Sequence, residues 1–366
     1  MQKVGMNMMK NFSDRKARFM TRVAIVGFWL MIIAIFLFLP RFVHMIRPTR
    51  SINIMTFPRV IDAQILTQFE HETGIKVYLS YYENNDELLV KMRQTKGEGY
   101  DLIIPSDYAV DTLRKEGLLQ QLDTRALPFF DRIHPKLLHH YYDPEAEYSI
   151  PYFWGLYGLG IDRTCCHNRP VSHSWDAIFD EHAVFYKIGM INNAREAVLL
   201  ASWYLFGSIE QLDATKLAQV KDLLIKQKKW VQAYTDLAPD YLLLSGSSPV
   251  VVGLSSDILQ AHRAESMLEF VLPQEGTFMV IDAMAIPRTS TKAVLVYEFL
   301  KYVYRPEILQ YHADRFSLFS PIKDDVLIHH TQQAFSWLET VPVIEFFRNV
   351  LPEAILQEIW FTLKAS

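Results

Sequence analysis

From Ser51 onward, short runs rich in β-branched and aromatic residues alternate with segments whose apolar residues recur at helical spacing. Ser51–Phe57 (SINIMTF) reads as a strand. Ile61, Ile65, Leu66 and Phe69 then form a helical stripe that stops at Gly74, a residue type suited to the left-handed turn at a helix end. Ile75–Tyr82 (IKVYLSYY) is a second strand, and Asn85 a helix cap ahead of the buried stripe Leu88, Leu89 and Met92. Tyr100–Pro105 (YDLIIP) is a buried strand, followed by a helix that ends at Gly117. Strand–helix–strand–helix order predicts a mostly parallel sheet covered on both faces.

The pattern changes at residues 124–147, which are helical and loop-like, and at Tyr148–Asp162 (YSIPYFWGLYGLGID), an extended aromatic stretch whose glycines permit local backbone freedom. Alternation resumes with a strand at Tyr186–Asn192, helices at Ala194–Phe206 and Ile209–Gln227, strand Pro249–Leu254, helix Asp257–Ala264 and strand Leu268–Leu272. Phe278–Pro287 is a second extended run able to cross back. Helices at Ala293–Tyr304 and Pro306–Ala313 follow, and residues 335–366 read as wholly helical. A length of 366 residues favours two domains. Two α/β lobes joined by two extended crossings describe a hinged clamp with its ligand at the carboxyl ends of strands. The expected division is 51–155 with 279–325 for lobe 1, and 156–278 with 326–366 for lobe 2.

Residues 1–22 form a basic segment ahead of seventeen uncharged residues, Val23 to Leu39. As a helix that run spans about 26 Å, close to a hydrocarbon core of ~30 Å, and Phe42, Val43, Met45 and Ile46 extend it while Arg41 snorkels. Phe36-Leu37-Phe38-Leu39-Pro40 offers no small-residue cleavage site, and no cysteine follows for a lipid anchor. The expectation is an uncleaved transmembrane signal anchor over residues 23–46. The basic flank then lies inside and the body outside, in the periplasm or on the outer face of the cytoplasmic membrane.

Charge is divided in the same way. Residues 1–50 hold nine Lys/Arg and one Asp, a balance of +8, while the other 316 carry 28 basic and 40 acidic side chains, or −12. An acidic body argues against nucleic acid and leaves room for cationic ligands. Catalytic signatures are missing: there is no G-x-S-x-G elbow, P-loop, G-x-G-x-x-G or H-E-x-x-H. The pairs His139/His140 and His329/His330 lack ligand spacing, and the neighbouring Cys165 and Cys166 say nothing about compartment. The expected protein is not an enzyme and carries no metal or cofactor.

A cationic ligand needs carboxylates for its ammonium groups and aromatic walls for its methylenes. Such groups belong just after strands. Ser106-Asp107-Tyr108 follows YDLIIP directly, although Ser106 or Asp107 also suits a helix cap. Asn193 and Glu196 follow the strand of the next lobe, at a spacing that equally suits a capping box. Asp282 interrupts the apolar run Phe278–Ile286, where a carboxylate is costly unless it meets water, a partner or a cation. Asp257 reads as a helix cap.

Several stretches resemble the spermidine/putrescine-binding proteins of ABC importers, in that family's order and over roughly 51–325: FEHETGIKV (69–77), YDLIIPSDYAVDTLRKEGLLQQLD (100–123), YSIPYFWGLYGLGID (148–162), SWDAIFD (174–180), NNAREA (192–197), IDAMAIP (281–287) and EFLKYVYRPE (298–307). The resemblance implies a two-lobed type II periplasmic-binding-protein fold with two crossovers, preceded here by one transmembrane helix. It also implies a polyamine or other small cationic solute as ligand, with a permease and an ATPase as partners. Carried over residue by residue, the cradle falls on Ser106, Tyr108, Glu196 and Asp282. The family's Asp is Asn193 here, and two of its Trp positions fall on Val280 and Leu254. Its Trp-Thr after the first strand falls on Phe57-Pro58, and a late Tyr falls near Leu318 or Phe319. These changes point either to weakened or retuned amine binding or to a tethered scaffold or regulatory subunit.

Overall fold

The computed structural model describes residues 27–29, 31–33, 35, 50–165, 169–235, 239–323 and 329–366. Residues up to Ser51 form one unit and Ile52–Ser366 another. The first unit is helical at 27–29, 31–33 and 35, with Phe28 and Trp29 largely exposed. Among the described residues no helix is long and apolar enough to cross a membrane. Most of the anchor expected over residues 23–46 lies outside the described residues.

The body follows the expected alternation. Strand β1 (Ser51–Thr56) is buried on both faces, as an interior strand of a covered sheet must be. Helix α1 (Ala63–Thr73) starts where Asp62 accepts from the Gln64 N–H at 2.8 Å, buries Ile65, Leu66 and Phe69, and stops at left-handed Gly74. After β2 (Lys76–Tyr81) comes α2 (Asn85–Thr95), capped by Asn84 rather than Asn85. Asn84 Oδ1 takes the Glu87 N–H, while Asn85 is buried and accepts the Ser106 N–H at 3.2 Å. Strand β3 (Leu102–Ile103) and α3 (Asp107–Lys115) complete the first α/β unit, and β1 pairs parallel with β3 in the order β2-β1-β3.

Short 3-10 turns between Thr124 and Leu137 lead to β4 (Ile150–Asp162). Then come α4 (Asp176–Phe179), β5 (Ile188–Ile191), α5 (Ala194–Phe206), α6 (Ala214–Gln227), β6 (Val231–Thr235), α7 (Pro239–Leu244), β7 (Val250–Leu254), α8 (Ser255–Ala264), β8 (Leu268–Val271) and β9 (Thr277–Met284). The chain ends with α9 (Ala293–Val303), α10 (Pro306–Phe316), α11 (His329–Thr340), β10 (Ile344–Glu345) and α12 (Glu353–Ala365). The second sheet runs β10-β9-β4-β7-β5-β6, with β8 also on β4. Within it β5 pairs parallel with β6 and β7, whereas β4 is antiparallel to β7, β8 and β9.

Two main cores flank the long strands. Ile150, Tyr152, Phe153, Trp154 and Leu156 of β4 pack with the first α/β unit, and Leu159 and Ile161 with the second. Strand β9 passes the other way, from Phe278 in the second core to Met279, Ile281, Ala283 and Met284 in the first. The two strands pair from Ile150 opposite Met284 to Leu156 opposite Met279, so the two crossings lie side by side. The β4 glycines serve close packing rather than unusual dihedrals: a Cβ on Gly158 would lie 2.5 Å from the Phe270 ring.

The last 32 residues depart from the wholly helical expectation. Pro342 and Pro352 interrupt the helical pattern, and β10 between them pairs parallel with β9. Here the chain makes a third passage, with Phe346 in the first core and adjacent Phe347 in the second. Ala334 and Leu338 of α11 also pack in the first core, on the other side from the lobe boundary expected at 326.

Candidate functional site

A cavity of about 410 Å³ opens where the strands of both halves end. Phe57, Pro58 and Arg59 enter it after β1, Ser106, Asp107 and Tyr108 after β3, Asn193 and Glu196 after β5, and Ser256 and Asp257 after β7. Val280 and Asp282 come from β9, beside the crossing. Parallel strands place their following loops at one sheet edge, which gathers residues far apart in sequence into one cleft.

Ser106 occupies the cap position of α3, but its side chain makes no cap bond. Instead its Oγ donates to Asp282 Oδ1 at 2.7 Å, joining two elements 176 positions apart. Burial pushes the Asp282 carboxyl up to about 6. Asp107 is buried beneath it, accepting from the Tyr141 hydroxyl at 2.6 Å and the Ile281 N–H at 3.0 Å. Burial, opposed by those two bonds, moves its carboxyl up to about 7. Its bonds mark Asp107 as the brace that holds the β9 backbone in place behind Asp282.

In the other half Asn193 caps α5 by accepting the Glu196 N–H at 3.2 Å, while Glu196 Oε2 accepts from the Tyr157 hydroxyl at 2.7 Å. Cap and cavity roles therefore coincide on this turn. Asp257 departs from its expected role: Leu254 holds the cap position of α8, and Asp257 lies within the first turn, lining the cavity. Burial and neighbouring Asp240 push its carboxyl up to about 7, against the Arg59 guanidinium. Arg59 reaches across to both acids, 3.5 Å from Asp240 and 3.9 Å from Asp257.

Walls come from aromatic and aliphatic groups. Phe57 packs on Tyr82 with ring centres 4.3 Å apart, and Tyr157 meets Phe347 edge to face at 5.0 Å. Tyr108 lies under the Arg195 guanidinium at 4.8 Å, and Asn349 Nδ2 donates to the Tyr108 carbonyl at 3.1 Å. Arg195 is itself buried, paired with Glu353 at 2.8 Å. The contacts of Tyr108 with Arg195 and Asn349 join the first half to the second beside the cavity.

Phe57, Ser106, Tyr108, Asn193, Glu196 and Asp282 all line the cavity, as does Leu318, whereas Phe319 is buried in the core. Sequence reasoning missed Arg59, Tyr157 and the cavity position of Asp257. The signal for Asp257 was present, since it opens a helix directly after a strand just as Asp107 and Glu196 do.

Residues 64–333 match the model of a family described as bacterial extracellular solute-binding protein. The chain is 30% identical over 246 residues to the spermidine/putrescine-binding periplasmic protein of Salmonella typhimurium, covering 67% of this chain and 70% of that one. It is 26% identical over 335 residues to the putrescine-binding periplasmic protein PotF of Escherichia coli, covering 87% of each. Among solved structures it is similar to the spermidine/putrescine ABC transporter substrate-binding protein PotD of Streptococcus pneumoniae. That likeness has a TM-score of 0.73 at 25% identity and covers 87% of this chain and 99% of that one.

Proposed function

Because the chain belongs to the bacterial extracellular solute-binding proteins, we propose that it is the solute-capturing subunit of an ABC importer for polyamines. Its ligand is a putrescine- or spermidine-like cation, held in the cleft by hinged closure. The observation that carries this reading is the placement of Glu196 and Asp282, from different halves of the body, on one small cavity with aromatic walls. Carboxylates at such a site favour ammonium groups, and Phe57, Tyr108 and Tyr157 suit the methylene chain.

Nothing in this reading calls for chemistry on the solute, so the protein captures and delivers it without acting as an enzyme. The side-by-side strands β4 and β9 act as the hinge, and the loaded clamp delivers its cation to a transmembrane permease driven by a cytoplasmic ATPase. Residues 23–46 tether the body to the cytoplasmic membrane, a proposal supported by the uncharged run from Val23 to Leu39 after a basic segment. Asn193, Leu254 and Val280 make the pocket less anionic and less aromatic than the resemblance implies, so affinity is expected to be modest.

A thermal-shift screen of the full-length protein with putrescine, spermidine, spermine, agmatine and neutral controls tests this proposal. A ligand bound only by the folded state raises the melting temperature by mass action. A rise with amines alone supports the reading. Unchanged melting across the set refutes it in favour of a scaffold or regulatory role.

A further inference from the structure

Arg59 is the single Lys or Arg among the described residues that line the cavity, beside the acidic residues Glu83, Asp107, Glu196, Asp257 and Asp282. It lies three residues beyond β1 at φ 60, in the left-handed region that a side chain with a Cβ disfavours. From there its guanidinium reaches Asp240 on α7 and Asp257 on α8. Leu243 and Ile258 of those helices are buried in one cluster with Val251 of β7 and Leu268 of β8. The Arg59 side chain keeps 51% of its surface exposed, so solvent screening leaves these ion pairs little weight in stability. A backbone conformation uphill for arginine, holding a cation over two carboxylates, has its consequence in what enters the cleft.

We propose that Arg59 is a tethered cation that occupies the Asp257 side of the cleft and thereby selects short diamines over longer polyamines. This rests on the polyamine reading of the same cavity. There the Asp257 carboxyl already faces a guanidinium that also pairs with Asp240, and an arriving ammonium must sit beside a like charge. Asp282, which also lines the cavity, bonds instead to the neutral Ser106 hydroxyl. The cavity, at about 410 Å³, is of a size that small-molecule sites commonly have, so volume alone does not exclude a longer amine. Charge does: a short diamine keeps both ammonium groups near Asp282 and Glu196, whereas a triamine must extend one toward Arg59.

Calorimetric titration of putrescine and spermidine into the full-length protein tests the assignment, using wild type, Arg59→Gln and the double variant Arg59→Gln/Asp257→Asn. Arg59→Gln is expected to tighten spermidine by about ten-fold or more and putrescine by less than about three-fold. Adding Asp257→Asn is expected to remove the spermidine gain. Putrescine binding with an unchanged preference between the amines overturns the role of Arg59 alone. Absence of binding by both amines in every variant overturns the polyamine reading, and the selection with it.

Discussion

Replacing Asp282 by Asn removes a charge but keeps the acceptor that Ser106 Oγ uses at 2.7 Å. Burial moves this carboxyl from 3.8 to about 6. At about 1.4 kcal/mol per pH unit, holding it ionised in the empty cleft at neutral pH costs about 3 kcal/mol. The sign follows from the raised value. The stabilising contribution of the protonated acid is complete below 3.8 and is lost as pH rises through about 6. Without ligand, Asp282→Asn should therefore be more stable than wild type at pH 7.5, by up to about 3 kcal/mol, and nearly equal to it at pH 4. Amine binding should move the other way. Removing one partner of a buried charge pair costs about 2–5 kcal/mol, or roughly 30- to several-thousand-fold in affinity. Denaturant unfolding at pH 4, 6 and 7.5, with and without putrescine, reads both quantities on one sample. A variant less stable than wild type at pH 7.5, or one with unaltered amine affinity, overturns this role for Asp282.

Other substitutions separate the remaining roles. Asn193→Ala should lower stability by about 1 kcal/mol through loss of the α5 cap, whereas Glu196→Gln should weaken amine binding with little change in unfolding; paired melting and titration experiments distinguish them. His312 is buried, accepts the Asp62 N–H at 3.1 Å and bonds the Tyr152 hydroxyl at 2.9 Å, and desolvation lowers it to about 4. Its contribution to stability is complete above 6.5 and is lost as pH falls toward about 4, so His312→Gln should flatten the acid limb of the stability–pH curve. The proposed tether predicts that the protein sediments with membranes and retains its N-terminus, and a soluble form beginning near residue 45 would count against it.

The first α/β unit was legible because its signals are local. The stripe Ile65–Leu66–Phe69 and Gly74 mark the buried face and the stop of one helix within ten residues. Both crossing strands were also visible, since long aromatic or apolar runs without helical spacing have few other uses. The third passage was not. It turns on the neighbours Phe346 and Phe347, and two apolar residues facing different cores leave no periodicity to read. Asn84 and Asn85 are the same residue type, so only geometry decides that the first caps the helix and the second supports the Ser106 backbone. Arg59 was missed for another reason: its partners Asp240 and Asp257 lie about 180 or more positions away, and nothing local to a turn signals how far a long side chain reaches.

Titration of putrescine into the full-length protein, beside the double variant Glu196→Gln/Asp282→Asn, bears most directly on the claim that this cleft captures a cation between carboxylates of its two halves. Saturable binding at one site per chain is expected in the wild type, with its loss in a variant that still unfolds cooperatively. Equal putrescine affinity in the two proteins, or no saturable binding by the wild type, would contradict it.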